Sequence, residues 1–257
     1  MSRHPLSTGF FALALSLASS ASVPAQAADI RNVVIVHGAF ADGSGWRRVS
    51  DILTAKGYKV SVVQQPLTAL KDDVAATRRV LALQDGPAVL VGHSYGGMVI
   101  SDAGHDGKVA ALVYVAAFQP EAGESLAMLA GRKPVPDAPV DAIKPTEDGY
   151  LYLDPKAFPA AFAADLPQAE SNFLAHAQVF ASKGAFTAEA GAPAWKVKPS
   201  WALVATADRS INPDLERDMA RRAGSHVVEV AASHAVYAAQ PDVVAQTIIA
   251  AAESAGH

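Results

Sequence analysis

The sequence predicts an α/β fold, with a mostly parallel central sheet, helices on both faces and one inserted helical segment. Three observations carry that prediction. Apolar runs such as Val33-Val34-Ile35-Val36, Val89-Leu90-Val91 and Ala110 to Ala116 alternate with helix-like stretches, and such alternation implies parallel strands. The runs are apolar throughout, as strands covered on both faces must be. The alternation stops near residue 119 and resumes at Trp201, so one insertion divides the sheet.

Each element has a local reason. The Val33 strand ends in His37-Gly38-Ala39-Phe40, and Asp42-Gly43-Ser44-Gly45 continues as a loop. Trp46 to Lys56 reads as a helix closed by Gly57, because glycine accepts the backbone that ends helices. Tyr58 to Val63 is the next strand. Asp72 to Leu83 is an amphipathic helix, with Val74, Val80, Leu81 and Leu83 apolar against Lys71, Asp72, Arg78 and Arg79. Asp85-Gly86-Pro87 turns the chain into the Val89 strand, and Tyr95 to Ala103 is the helix that follows it.

Between residues 119 and 195 Pro, Ala and acidic residues accumulate, and the one strand signal is a short hairpin at Tyr150-Leu151-Tyr152-Leu153. Lys156 to Asp165 and Pro167 to Ala181 read as helices whose apolar faces are Phe158, Phe162, Phe173, Leu174, Ala177 and Phe180. Trp201 to Ala205 resumes the sheet. Pro213 to Ala223 is a helix, Val227 to Val230 a strand and Pro241 to Ala252 the last helix. The expected division is therefore a core in two parts, 28–118 and 196–257, with a helical cap at 119–195. A cap in that place covers the carboxyl edge of the sheet, where open α/β sheets bind ligands.

The first 27 residues read separately. Arg3 and His4 precede an apolar run from Gly9 to Ala18, small residues follow at Ser19 to Ser22, and Ala25-Gln26-Ala27 is a cleavage-type site. This is the pattern of a secretory signal over residues 1–27, which implies a periplasmic or secreted protein with no stable membrane insertion after cleavage. The chain has 257 residues, 51% of them hydrophobic and 18% charged, enough for one sizeable core. A formal charge of -4 offers no basic field for nucleic acid. There is no cysteine, which excludes disulfides, a thiol nucleophile and thiolate metal ligands.

The chemistry is concentrated in Gly92-His93-Ser94-Tyr95-Gly96. In this Gly-x-Ser-x-Gly pattern a strand enters a helix through a turn so sharp that the flanking positions must lack side chains and the serine is strained and presented outward. Elsewhere the same residues would be an ordinary turn; between a strand and a helix they mark a nucleophile. A serine hydroxyl needs a base. Of the eight histidines, His234 lies in Ala231-Ala232-Ser233-His234-Ala235, directly after the last strand and at the same edge as Ser94. His37 is read as bracing its loop, with a chemical role as the alternative. Asp208 leaves the Trp201 strand at that edge and is the acid expected to orient His234, with Glu121, after the Ala110 strand, as the rival. Asp214 and Asp218 fall on a helix and read as surface charges. Two backbone donors should face the oxyanion: the amide of Tyr95, and one from Ala39 or Phe40. The Phe40 side chain could wall the pocket instead.

These residues resemble the α/β-hydrolase superfamily over residues 31–255, through Val36-His37-Gly38-Ala39-Phe40, Gly92 to Met98, Ala207-Asp208-Arg209 and Ser233-His234-Ala235, all in the family's order. The subgroup that looks most similar comprises small esterases, hydroxynitrile lyases and their bacterial relatives. The resemblance implies a Ser94, Asp208 and His234 triad, an oxyanion hole from the Ala39 and Tyr95 amides, and neither metal nor organic cofactor. The three-residue constellation points to a serine carboxylesterase, and the Phe, Leu and Ala content of the cap points to small esters with an apolar or aromatic group. Hydroxynitrile lyases carry a lysine after the triad histidine and a threonine in the first-strand loop, where this chain has Ala235 and Gly38. A perhydrolase or carbon–carbon bond hydrolase would use the same residues, and a low-turnover, receptor-like binding protein is the reading from a different class.

Overall fold

The computed structural model describes Met1 and residues 29–136 and 138–256. The signal-type segment lies outside the described residues, except for Met1. In chain order the elements are β1 (Asn32–Val36), α1 (Arg47–Ala55), β2 (Lys59–Val63), α2 (Leu70–Ala82), β3 (Ala88–Ser94), α3 (Gly96–Ala103) and β4 (Val109–Ala117). There follow α4 (Leu126–Arg132), β5 (Ile143–Pro145), β6 (Tyr150–Leu153), α5 (Phe158–Phe162), α6 (Gln168–Ala177), β7 (Ala181–Ser182) and α7 (Lys183–Thr187). The core then resumes with β8 (Ser200–Ala205), α8 (Pro213–Ala223), β9 (His226–Val230), α9 (Val236–Ala239) and α10 (Pro241–Ala255).

The core is a six-stranded sheet in the order β2-β1-β3-β4-β8-β9, and every pairing is parallel. Helices α1 and α10 pack together on one face, and α2 with α3 on the other. The central strands β1 and β3 are buried at every residue, as their uninterrupted apolar sequences require. Strand order reverses between β1 and β3, which pair Val36 with Gly92. The loops leaving these two strands therefore diverge, and the crevice between them is where such a sheet binds ligands.

The segment between β4 and β8 is less purely helical than its sequence predicts. Beside its four helices it holds an antiparallel sheet in the order β5-β6-β7. The Tyr150 hairpin is real, with Ile143 paired to Leu153, but its third strand is two residues long and pairs across about thirty positions of sequence. No local periodicity announces a strand that short. The expected apolar helix faces also need correction. Phe158, Phe162 and Leu174 are buried, whereas Phe173 and Phe180 are 57% and 45% exposed. The helix ends at Ala177, so Phe180 leaves its periodicity and instead stacks on Tyr152. Among the described residues no helix is long and apolar enough to cross a membrane.

Candidate active site

The turn after β3 is built as its glycines require. Ser94 has φ 53°, in the left-handed region where a side chain is strained. A Cβ at Gly92 would lie 2.6 Å from the Gly96 carbonyl oxygen, and one at Gly96 would lie 2.5 Å from that of Val36. Ser94 is thereby lifted to the floor of a cavity of about 480 Å³ that Ala39, Phe40, Phe118, Leu126, Phe162, Phe186, Arg209 and His234 also line. The walls are mostly apolar and come from both the core and the inserted segment.

His234 and Asp208 meet at the same rim, delivered by the loops after β9 and β8. His234 Nδ1 donates to Asp208 Oδ2 at 2.6 Å, and both side chains are buried. The other carboxylate oxygen accepts from the Ser210 and Ile211 amides at 2.6 and 3.0 Å. Asp208 is thus clamped, and the His234 tautomer is set with Nε2 unprotonated when the ring is neutral. The Ser94 hydroxyl is not within hydrogen-bonding geometry of any described group, His234 included; such contacts tighten when substrate binds. Neither the Ala39 nor the Tyr95 amide donates to another group among the described residues, so two backbone donors at this rim remain uncommitted.

The rival acid is not brought to the site. Glu121 pairs with Lys196 at 2.6 Å instead, and Asp214 and Asp218 pair on the surface with Arg217 and with Lys133 and Arg221. His37 braces the β1 loop: Nδ1 donates to the Gly38 carbonyl at 2.8 Å, and the Gln65 side chain holds the His37 carbonyl at 2.6 Å. Burial pushes the His37 imidazole down, which keeps it neutral. Phe40 lines the cavity and packs on Phe186. Among the described residues no group of three His, Asp or Glu side chains is placed to hold a metal ion.

Four contributions were not anticipated from the sequence. His93 Nε2 donates to the His234 carbonyl at 3.0 Å, so the residue before the candidate nucleophile holds the candidate base. Burial and the neighbouring His234 push the His93 imidazole well down. Asp165 accepts from the Ser233 amide at 2.8 Å and from the Ser233 hydroxyl, and the Phe162 carbonyl accepts from the Ala235 amide at 2.8 Å. The inserted segment therefore fixes the loop on both sides of His234. Asp73, on α2, accepts from the Tyr95 hydroxyl at 2.7 Å and the Leu67 amide at 2.8 Å. Glu216 is buried on α8 beside Asp208. A glutamate in register with the buried Leu215, Met219 and Ala220 was the available signal for that last one.

The model of the alpha/beta hydrolase family matches residues 33–247, from β1 into α10. The chain belongs to the alpha/beta hydrolase family. A carbendazim hydrolyzing esterase of Nocardioides sp. (strain SG-4G) is 35% identical over 114 residues, which are 38% of this chain and 46% of that enzyme. The match thus spans about half the length of that relative. Among solved structures, a pyrethroid hydrolase from Sphingobium faniae JZ-2 superposes with a TM-score of 0.73 at 23% identity, covering 88% of this chain and 98% of that one. An extracellular alpha/beta-hydrolase from a Paenibacillus species gives 0.72 at 17% identity, covering 86% and 98%. These structures share the fold. This α/β hydrolase thus has esterase homologues.

Proposed function

We propose that this protein is a serine carboxylesterase for small esters with an apolar or aromatic group. The observation that carries the reading is the buried Asp208–His234 hydrogen bond opening on to the same cavity as a strained Ser94. Ser94 Oγ attacks the ester carbonyl while His234 Nε2 takes its proton, and Asp208 stabilises the imidazolium that forms. The Ala39 and Tyr95 amides receive the oxyanion. Collapse expels the alcohol, which leaves with the proton from His234. Water then attacks the acyl-enzyme with His234 as base, releasing the acid and Ser94. The apolar lining and a volume of about 480 Å³ suit a ligand of modest size. The esterase and hydrolase names of its relatives support a hydrolytic reaction.

The test is Ser94→Ala on p-nitrophenyl acetate. Turnover should fall to background, and undiminished turnover would overturn the assignment. Stabilisation by small esters without acid release over hours from the unaltered protein would mark the binding-protein alternative. Product analysis separates perhydrolase and carbon–carbon bond hydrolase chemistry. The N-terminal pattern supports export, which N-terminal sequencing of the mature protein checks: a start at Ala28 is expected.

A further inference from the structure

The loop Ala231-Ala232-Ser233-His234-Ala235 carries no bulky side chain except the imidazole, so hydrogen bonds to its backbone must hold it. The core supplies some of them. The Ala207 amide donates to the Ala232 carbonyl at 3.1 Å, and His93 Nε2 to the His234 carbonyl at 3.0 Å. Others come from one turn of the inserted segment, residues 161–165, at the end of α5. There the Asp165 carboxylate accepts from the Ser233 amide at 2.8 Å through one oxygen and from the Ser233 hydroxyl through the other. The Phe162 carbonyl accepts from the Ala235 amide at 2.8 Å. The same turn reaches the acid. Ser210, whose amide donates to Asp208, gives its hydroxyl to the Ala161 carbonyl at 2.9 Å. Ala161 and Phe162 also line the cavity, and the Phe162 ring meets the His234 ring edge-on with centroids 4.7 Å apart. One short turn is thus a cavity wall and a clamp on both the Asp208 and the His234 loops. Among the groups in it that make these hydrogen bonds, only Asp165 uses its side chain, and the charge strengthens both of its bonds.

We infer that Asp165 is a positioning residue: by gripping both donors of Ser233 it keeps the imidazole of the next residue, His234, on Asp208 and at the cavity that Ser94 shares. Asp165 is not among the residues that line the cavity, so it acts through His234 and not on the substrate. A displacement of about 1 Å at a reacting group costs on the order of 10²-fold in rate, and a loop of small residues has little packing of its own to prevent one. The inserted segment therefore serves the chemistry as well as the shape of the cavity. The kinetic consequence rests on the esterase reading; the hold on the imidazole does not.

Kinetics and a substrate-free measurement test it. Asp165→Ala removes both acceptors, and its kcat should fall about tenfold or more with KM within about twofold of wild type. Asp165→Asn should bring kcat back to within about threefold of wild type. Its carbonyl oxygen still accepts from the Ser233 amide, and its NH2 donates to the Ser233 hydroxyl, which turns to the Phe162 carbonyl 3.3 Å away. The second readout is the proton on His234 Nδ1, whose 2.6 Å hydrogen bond to Asp208 gives a far-downfield proton NMR resonance, assigned by its loss in His234→Gln. That resonance should broaden or move upfield in Asp165→Ala and stay in place in Asp165→Asn. A wild-type kcat in the Ala variant, a change confined to KM, or an unmoved resonance overturns the proposal. If Asp165→Ala does not fold, Ser233→Ala takes its place: it loses one of the two bonds, kcat should fall about threefold, and a wild-type kcat there overturns the proposal. If Ser94→Ala keeps full turnover, the esterase reading fails, while the resonance still decides whether Asp165 holds His234.

Discussion

A Cβ at Gly97 would lie 1.9 Å from the carbonyl oxygen of Phe118, closer than the equivalent contacts at Gly92 and Gly96. The motif names the latter two, yet the first helical turn after Ser94 presses hardest on the end of β4 at the third. The obstacle is backbone, which cannot swing aside as a side chain can. Gly97→Ala should therefore cost about 2–4 kcal/mol, read as a lower denaturation midpoint in urea; a loss below about 0.5 kcal/mol would show that β4 yields. At Asp208 the expected effect is chemical. Asp208→Asn keeps the shape but places a donor or a weaker acceptor against His234 Nδ1, and kcat should drop about 10³–10⁴-fold. Steady-state kinetics check this, and an unchanged KM would assign the loss to the reacting state.

Helix α2 is tied to the turn at Ser94 by one carboxylate. Asp73 holds both the Tyr95 hydroxyl and the Leu67 amide, where the backbone has φ 55°. Burial pushes the Asp73 carboxyl up to about 6, against the pull of those two hydrogen bonds. An acid raised in the folded state binds its proton more tightly there than in the unfolded chain. Its contribution is complete below the ordinary carboxylate range and is lost as pH rises through about 6. The loss amounts to about 3 kcal/mol. Asp73→Asn cannot ionise, so its Tm should gain on that of wild type between about pH 4 and pH 7. Calorimetry across that interval checks it, and a constant gap would mean that Asp73 does not titrate there.

The inserted segment and the core depend on each other through Glu124. This buried carboxylate accepts from Arg132 on α4 and from Arg222 on α8, at 2.8 and 2.9 Å for the latter. Burial pushes it up, but the Arg222, Glu121 amide and Arg132 hydrogen bonds outweigh this and hold it down to about 2. The sign is opposite to that of Asp73: the contribution is present above the ordinary carboxylate range and is lost as pH falls toward 2. The arginines are 49% and 32% exposed, so screening reduces the effect. Glu124→Gln should cost about 1–2 kcal/mol near neutrality, with the deficit closing in acid. Chemical unfolding at two pH values measures it.

The positions of Ser94, Asp208 and His234 at the ends of parallel strands follow from motifs of a few residues each. Strand runs, a Gly-x-Ser-x-Gly turn and small-residue loops are set by neighbours in sequence, whose sterics act within one turn. The expected bounds of the insertion rest likewise on a local change of periodicity. What escaped was set by residues distant in the chain. Strand β7 exists only through its partner β6. Phe180 is exposed because its helix ends before it. Nothing beside Asp73 or Glu216 in the sequence marks them as buried; packing alone removes their water. Desolvation and hydrogen-bond satisfaction depend on every atom within a few ångströms, and those atoms come together only on folding. Local chemistry therefore wrote the fold class and the order of the candidate residues, while three-dimensional packing paired Asp208 rather than Glu121 with His234, placed the walls of the cavity and shifted the titration of the buried groups behind it.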